Sequence, residues 1–349
     1  MAHPVITPDT ASFPDASRRR LHQWAGALAL LGLQPLARAA GAPLSVAGLF
    51  AGRIDDRGFM EAGWRGLEKA RAELGVTIRH LDGVQPKKEL LVAALEQLVQ
   101  LGADLIVAHG GQNNEAAAEV ALRFPQQKIV VTQGSVTGPN LASYEVLQEQ
   151  SAYLGGVLAA LTTRTGVVGH MSGIRVRPGL KGRAGFAAGV RDTNPNVRLL
   201  TNFSGQQDDN PLSKRIALAQ IAAGADVIFT MLNAGRNGVT EACQEKGTRQ
   251  IGNVIDWVKV DPKVFIASAI ADVSIGVFKA VSDLRDGQFK GGVVHKVGLS
   301  DPAAVRLTTA PDVPASVIER VARAAADIQS GRVQVPEAYD GPEFATPTA

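Results

Sequence analysis

From residue 45 onward, apolar and polar positions fall into two alternating periods. Short continuous apolar runs occupy Ser45–Phe50, Leu105–His109 and Ile129–Thr132, and Thr77–His80 is a weaker run of the same kind. Runs of this length bounded by polar turns read as strands. Between them, Met60–Leu74, Pro86–Leu101 and Asn114–Phe124 repeat apolar residues at three- and four-residue spacing, which predicts helices. Pro86 stands where a helix would begin and Pro125 just beyond one. Strands separated by helices imply βαβ units and a parallel sheet covered on both faces.

The pattern then recurs. Gly102-Ala103-Asp104-Leu105-Ile106 and Gly224-Ala225-Asp226-Val227-Ile228 lie 122 positions apart, and the same offset carries Ser45–Phe50 onto Val167–Ser172. Two similar α/β lobes in tandem are therefore expected. In each copy a glycine closes a helix and an aspartate opens a buried strand, so Asp104 and Asp226 read as turn-formers. Two open sheets leave a cleft, and ligands of such sheets bind beyond the carboxyl ends of the strands. Those ends are Gly52–Phe59, His109–Asn114, Gln133–Ser135, Gly173–Lys181, Asn233–Asn237 and Asp256–Trp257.

Composition narrows the function class. With 45% hydrophobic and 20% charged residues over 349 positions, the chain can form a packed core and is not globally disordered. The net charge of +3 is largely a property of the first 39 residues, where Arg18, Arg19, Arg20 and Arg38 face only Asp9 and Asp15. No basic patch argues for nucleic acid. A single cysteine, Cys243, excludes an internal disulfide and a cysteine zinc cage. Nothing resembling a hydrolase or metalloprotease motif is present, so no catalytic residues, metal or cofactor are expected.

Residues 1–39 read as an export signal. Ser17-Arg18-Arg19-Arg20-Leu21 is a charged region, Trp24–Leu33 an apolar stretch, and Ala37-Arg38-Ala39 a cleavage site. The Ser-Arg-Arg-x-Leu order fits the twin-arginine route, and an ordinary secretory signal fits equally. Cleavage near Ala39/Ala40 would leave the mature chain in a bacterial periplasm, without a lipid anchor because no cysteine follows the apolar run.

At the strand ends the sequence resembles a known family. Gly52-Arg53-Ile54-Asp55-Asp56-Arg57-Gly58-Phe59, running into Trp64-Arg65-Gly66-Leu67, is similar to the Asp-Lys-Ser-Phe-Asn-x-x-x-Trp-x-Gly segment of the basic membrane protein family, the substrate-binding components of ABC importers. Ser151-Ala152-Tyr153-Leu154-Gly155-Gly156-Val157, Gly185-Phe186-Ala187-Ala188-Gly189 and Ile251-Gly252 through Asp256 resemble later family segments, in order, over nearly all of 44–336. The chain departs from the pattern at Met60 in place of Asn, Trp257 in place of Gln, Ala271 in place of Lys, and Gly182 in place of a second aromatic.

The resemblance implies an α/β fold of two lobes, a type I-like periplasmic binding protein whose parallel sheets are flanked by helices and hinged about a cleft. The expected division is 44–145 plus 267–297 for lobe 1, 146–266 plus 298–336 for lobe 2, and an extended tail at 337–349. Crossings between lobes are expected near Tyr144–Val146, Ile266–Ser268 and Lys296–Leu299. The implied function is capture of a purine nucleoside or nucleobase by a monomer, for delivery to an inner-membrane permease and its ATPase. A different aromatic or anionic ligand, or a periplasmic sensor, is the alternative, with an enzyme further off.

Within this frame Phe59 is expected to stack on a ligand ring, with Asp56 beside it, and Asp256 to hold two sugar hydroxyls. Each also has a structural reading: Phe59 as packing for its own lobe, Asp256 as a turn cap. Trp257 is a second stacking face or a surface or hinge tryptophan. Gln112 and Asn113 offer amides to a base edge, with Asn114 the helix cap. Arg175 and Lys181 would favour an anionic group or line a solvated loop. Asn233 and Gly235 belong to a glycine-rich turn whose amides could approach a ligand.

Overall fold

The computed structural model describes residues 43–345; the expected export signal lies outside them. The first lobe runs β1 (Ser45–Phe50), α1 (Phe59–Leu74), β2 (Thr77–Leu81), α2 (Lys88–Gln100), β3 (Leu105–His109), α3 (Asn114–Arg123), β4 (Ile129–Thr132) and β5 (Leu141–Val146). The second runs α4 (Gln148–Thr162), β6 (Val167–Ser172), α5 (Arg177–Thr193), β7 (Arg198–Phe203), α6 (Asn210–Ala222), β8 (Val227–Met231), α7 (Arg236–Lys246), β9 (Arg249–Val254) and β10 (Phe265–Ala271). The chain then returns for α8 (Ser274–Arg285) and β11 (Val294–Val297), and crosses again for β12 (Val305–Thr309) and α9 (Ala315–Gln329).

Two six-stranded sheets result, ordered β11-β5-β4-β3-β1-β2 and β12-β10-β9-β8-β6-β7. All pairings in the first are parallel, and in the second only β12 runs antiparallel, against β10. Alternate residues of a strand face opposite sides of its sheet. Accordingly Ala47, Leu49, Ile106 and Ala108 pack against Leu91, Leu95 and Leu98 of α2 on one side. Val46, Phe50, Leu105 and Val107 pack against Leu67 of α1 and Val277 and Val281 of α8 on the other.

The internal repeat has a shared cause. Gly102 and Gly224 end the helices before β3 and β8 at positive φ, 68° and 104°. The aspartates that follow tie neighbouring strand starts: Asp104 accepts from the Ser45 amide at 2.7 Å, and Asp226 from the Arg164 amide at 2.7 Å and the Thr163 hydroxyl at 2.6 Å.

Three local expectations change. Helix α2 starts at Lys88 rather than Pro86, because Lys87 keeps extended backbone (φ −108°, ψ 132°) as the residue that precedes the helix; Gln85 and Pro86 line the cleft instead. β9 stops at Val254, short of the strand end expected at Asp256, since Val254 adopts the left-handed region (φ 67°), which ends the ladder. The return to the first lobe comes after Ala271 rather than at 266–268, because β10 stays paired with β9 and β12 along that stretch.

Candidate functional site

A cavity of about 260 Å³ lies between the lobes, at the carboxyl ends of both sheets. That is just below the usual range of ligand pockets, roughly 300–1,000 Å³. The lobes touch beside it: a Cβ on Gly58 would stand 3.3 Å from Asn233 Cα, and one on Gly111 would stand 3.3 Å from Pro178 Cδ.

Phe59 lines the cavity from the first lobe. It opens α1, and two neighbours hold it. The Asp56 carboxylate accepts from the amides of Gly58 (2.8 Å), Met60 (3.2 Å) and Glu61 (3.1 Å), satisfying otherwise free donors of the helix start. His109, fully buried at the end of β3, stacks on the Phe59 ring at 4.4 Å. Its Nε2–H donates to the Phe59 carbonyl at 2.9 Å, which leaves Nδ1 to accept from the Thr132 hydroxyl at 2.7 Å. Burial lowers its pKa to about 4, so the ring is neutral. Asp56 therefore organises the loop that presents Phe59 and does not itself line the cavity.

The other walls are amides and apolar side chains. Gln85, Gln112, Gln148, Gln207, Asn233 and Asn253 line the cavity, with Met60, Met231, Ile174 and Val176 among them. Two of these amides are incomplete: Gln148 Nε2 and Gln207 Oε1 are buried with no hydrogen-bond partner in the protein. One donates and the other accepts, and such groups are costly to leave unpaired. Asp208 is the one charged side chain among the described lining residues. Its carboxylate accepts from the Ala234 amide at 3.0 Å.

Of the expected residues, Phe59, Gln112 and Asn233 line the cavity together, and the others do not. Asn113 is fully buried and gives its amide to the His109 and Gly110 carbonyls, at 2.9 and 3.1 Å. Asn114 is the first residue of α3 and accepts from the Ser135 amide rather than capping the helix. Gly235 spends its N–H on the Gln207 carbonyl, as does Asn233.

Asp256 accepts from the Thr308 hydroxyl at 2.8 Å, with Lys259 Nζ at 3.7 Å, and lines a separate cavity beside Arg65 and Arg306. The early end of β9 turns it away from the cleft. Trp257 is buried; its N–H donates to the Asn253 carbonyl at 3.0 Å, and the Arg236 guanidinium covers its face, 3.3 Å from the ring centroid. Arg175 pairs with Glu343 at 2.5 Å. Lys181 is buried among Glu145 (2.7 Å), Glu149 (2.9 Å) and Glu337 (3.1 Å). Neither cation is offered to a ligand. Sequence reasoning missed Gln85, Gln148, Gln207, Asn253 and Met231; the strand-end rule reaches Met231 and Asn253, whereas nothing local marks the glutamines.

Among the described residues, no group of three metal-capable side chains converges, and no helix is long and apolar enough to cross a membrane.

Comparison with known proteins agrees with this geometry. A family model described as ABC transporter substrate-binding protein PnrA-like matches residues 44–338. The CD4+ T-cell-stimulating antigen of Listeria monocytogenes is 27% identical over 82% of this chain and 86% of its own. Basic membrane protein A of Borreliella burgdorferi is 25% identical, over 72% and 75% respectively. An ABC transporter solute-binding protein of Aeropyrum pernix superimposes with a TM-score of 0.76 at 23% identity, over 88% of this chain and 94% of that one.

Proposed function

Because the chain belongs to the PnrA-like family of ABC transporter substrate-binding proteins, we propose that its cleft captures a small neutral molecule with a heteroaromatic ring, a purine base or its nucleoside. The observation that carries this reading is a lining of amide and apolar side chains, with Asp208 its one charge, around one aromatic face: Phe59 from the first lobe, together with a buried, unpartnered donor on Gln148 and acceptor on Gln207. A planar ring stacks on phenylalanine whatever its substituents, with roughly 1–3 kcal/mol per base. An edge bearing both donors and acceptors pairs with amides.

An anionic ligand finds no support, since Arg175 and Lys181 are bound by the protein's own acids. With Asp256 turned away, ribose hydroxyls would meet Asp208 and the amides.

The ligand acts by binding the closed arrangement of the lobes better than the open one. The closed form would then present both lobes to a membrane permease driven by a separate ATPase. A cleaved leader would place this event in the periplasm.

Native mass spectrometry of the protein as purified tests the ligand class. The expected result is a one-to-one adduct of an uncharged, ultraviolet-absorbing small molecule, released on unfolding. A retained phosphate- or carboxylate-bearing molecule would overturn the reading.

A further inference from the structure

Segment 173–179 alternates. Ile174, Val176 and Pro178 line the cavity, whereas Arg175 and Arg177 between them do not. Each of these arginines is held by a glutamate of the C-terminal segment. Arg175 meets Glu343 at 2.5 Å and lies over the Phe203 ring, 4.6 Å from its centroid. Arg177 meets Glu337 at 3.0 Å and, on its other side, Glu145 of β5 at 3.2 Å.

Two cations deeper in α5 share the same glutamates. Lys181 is 3.1 Å from Glu337. Arg183 contacts Glu343 and lies over the Tyr339 ring, 4.8 Å from its centroid. The segment is further fixed where the Phe344 amide donates to the Thr201 carbonyl at 2.9 Å and its carbonyl accepts from Asn202.

An irregular stretch of chain loses roughly 1–2 kcal/mol of backbone entropy per ordered residue, so it holds a fixed course only through contacts such as these. The family match ends at residue 338, while the contacts continue to Phe344.

We infer that Glu337 and Glu343 are positioning residues for the ligand cleft: they clamp the outward face of segment 173–179 and the start of α5, and so set where Ile174, Val176 and Pro178 stand against the ligand. The charge balance supplies the reason. Arg175, Arg177, Lys181 and Arg183 are matched by Glu145, Glu149, Glu337 and Glu343. Without the two tail acids, four cations within one short stretch keep two partners, Glu145 at Lys181 and Arg177 and Glu149 at Lys181. Arg183, nearly buried, is then left unpaired, which is the costly case. Relief comes by moving the segment toward solvent, and the cavity wall moves with it.

This inference rests on the cleft being the ligand site, so the test has two arms. Hydrogen–deuterium exchange over 172–180 and the dissociation rate of adenosine are measured on the full chain, wild type against the double substitution Glu337→Gln and Glu343→Gln. Glu319→Gln, on an exposed helix pair with Arg323, is the control.

The expected result is exchange over 172–180 rising about tenfold in the double variant, with adenosine released faster by a similar factor. Exchange over Leu91–Val107 stays as in wild type. Glu337→Asp with Glu343→Asp, which restores the charge, should recover part of both effects. Glu343→Gln alone keeps the test available if the double variant does not fold. Unchanged exchange over 172–180, or an equal rise throughout the chain, overturns the clamp. If wild type ignores adenosine, the ligand reading fails while the exchange arm still decides the clamp.

Discussion

His109 and Phe59 show how one side chain at the cleft depends on another behind it. The imidazole is stacked on the ring that faces the cavity and fixes the backbone carbonyl of the same residue. A second fully buried imidazole, His170, lies between the hydroxyls of Thr201 (2.8 Å) and the cavity-lining Ser172 (3.0 Å). Burial lowers their pKa values to about 4 and about 3. In the unfolded chain both take protons near the ordinary value, roughly 6.5. Between these limits the unfolded chain binds more protons, so the contribution to stability is whole above about pH 6.5 and is lost as the pH falls toward 4 and 3. The slope of unfolding free energy against pH, measured by urea titration between pH 6 and 5, should be steeper in wild type than in His170→Gln by about 1.4 kcal/mol per pH unit, one proton's worth. Equal slopes, or an imidazole resonance of wild type shifting near pH 6.5 for either histidine, would contradict the buried neutral assignment.

At the scale of elements, α4 and α5 lie backbone against backbone. A Cβ on Gly156 would stand 2.2 Å from the Phe186 carbonyl oxygen, and one on Gly189 would stand 2.1 Å from that of Tyr153. This gives the Tyr-Leu-Gly-Gly and Gly-Phe-Ala-Ala-Gly segments a physical meaning: they let two helices of the second lobe approach closely. Adjacent glycines should therefore behave oppositely. Gly156→Ala should lower stability by about 1–3 kcal/mol, the usual cost of overpacking. Gly155→Ala meets nothing nearer than 3.7 Å, and alanine in a helix interior should be neutral or stabilising by roughly 0.5–1 kcal/mol. Chemical denaturation of the two variants decides it, and similar losses in both would show that the helices are not held at that contact.

Elements were also the most legible part of the chain. β1, β3 and β4 lie where their apolar runs place them, because a buried strand between two helix layers needs a continuous apolar stretch that is visible locally. The site was less legible, for reasons that are not local. Whether Asp256 faces the cleft depends on one left-handed residue, Val254, at the end of β9. Whether Lys181 offers a charge depends on Glu145, Glu149 and Glu337, which are up to 156 positions away in sequence. Phe59 was recognisable because its loop matched a family segment, whereas Gln148 and Gln207 carry no sequence mark of their position beside a cavity.

For the whole molecule, two lobes related by a 122-residue offset meet around a small cavity, with the chain crossing between them after Val146, Ala271 and Val297. That arrangement suits capture between two lobes, and the ligand proposed for it is neutral and ring-bearing. Titration calorimetry with adenosine, guanosine, inosine and their free bases, on wild type, Phe59→Ala and Asp256→Ala, tests this most directly. Wild type should bind at least one of these compounds in a single site. Phe59→Ala should weaken the ligands that bind by roughly 1–3 kcal/mol each, the contribution of a stacked base. Asp256→Ala should leave their affinities unchanged, because its carboxylate is bonded to Thr308 outside the cleft. Absence of binding by wild type at millimolar ligand, or a Phe59→Ala variant that binds as wild type does, would contradict the account.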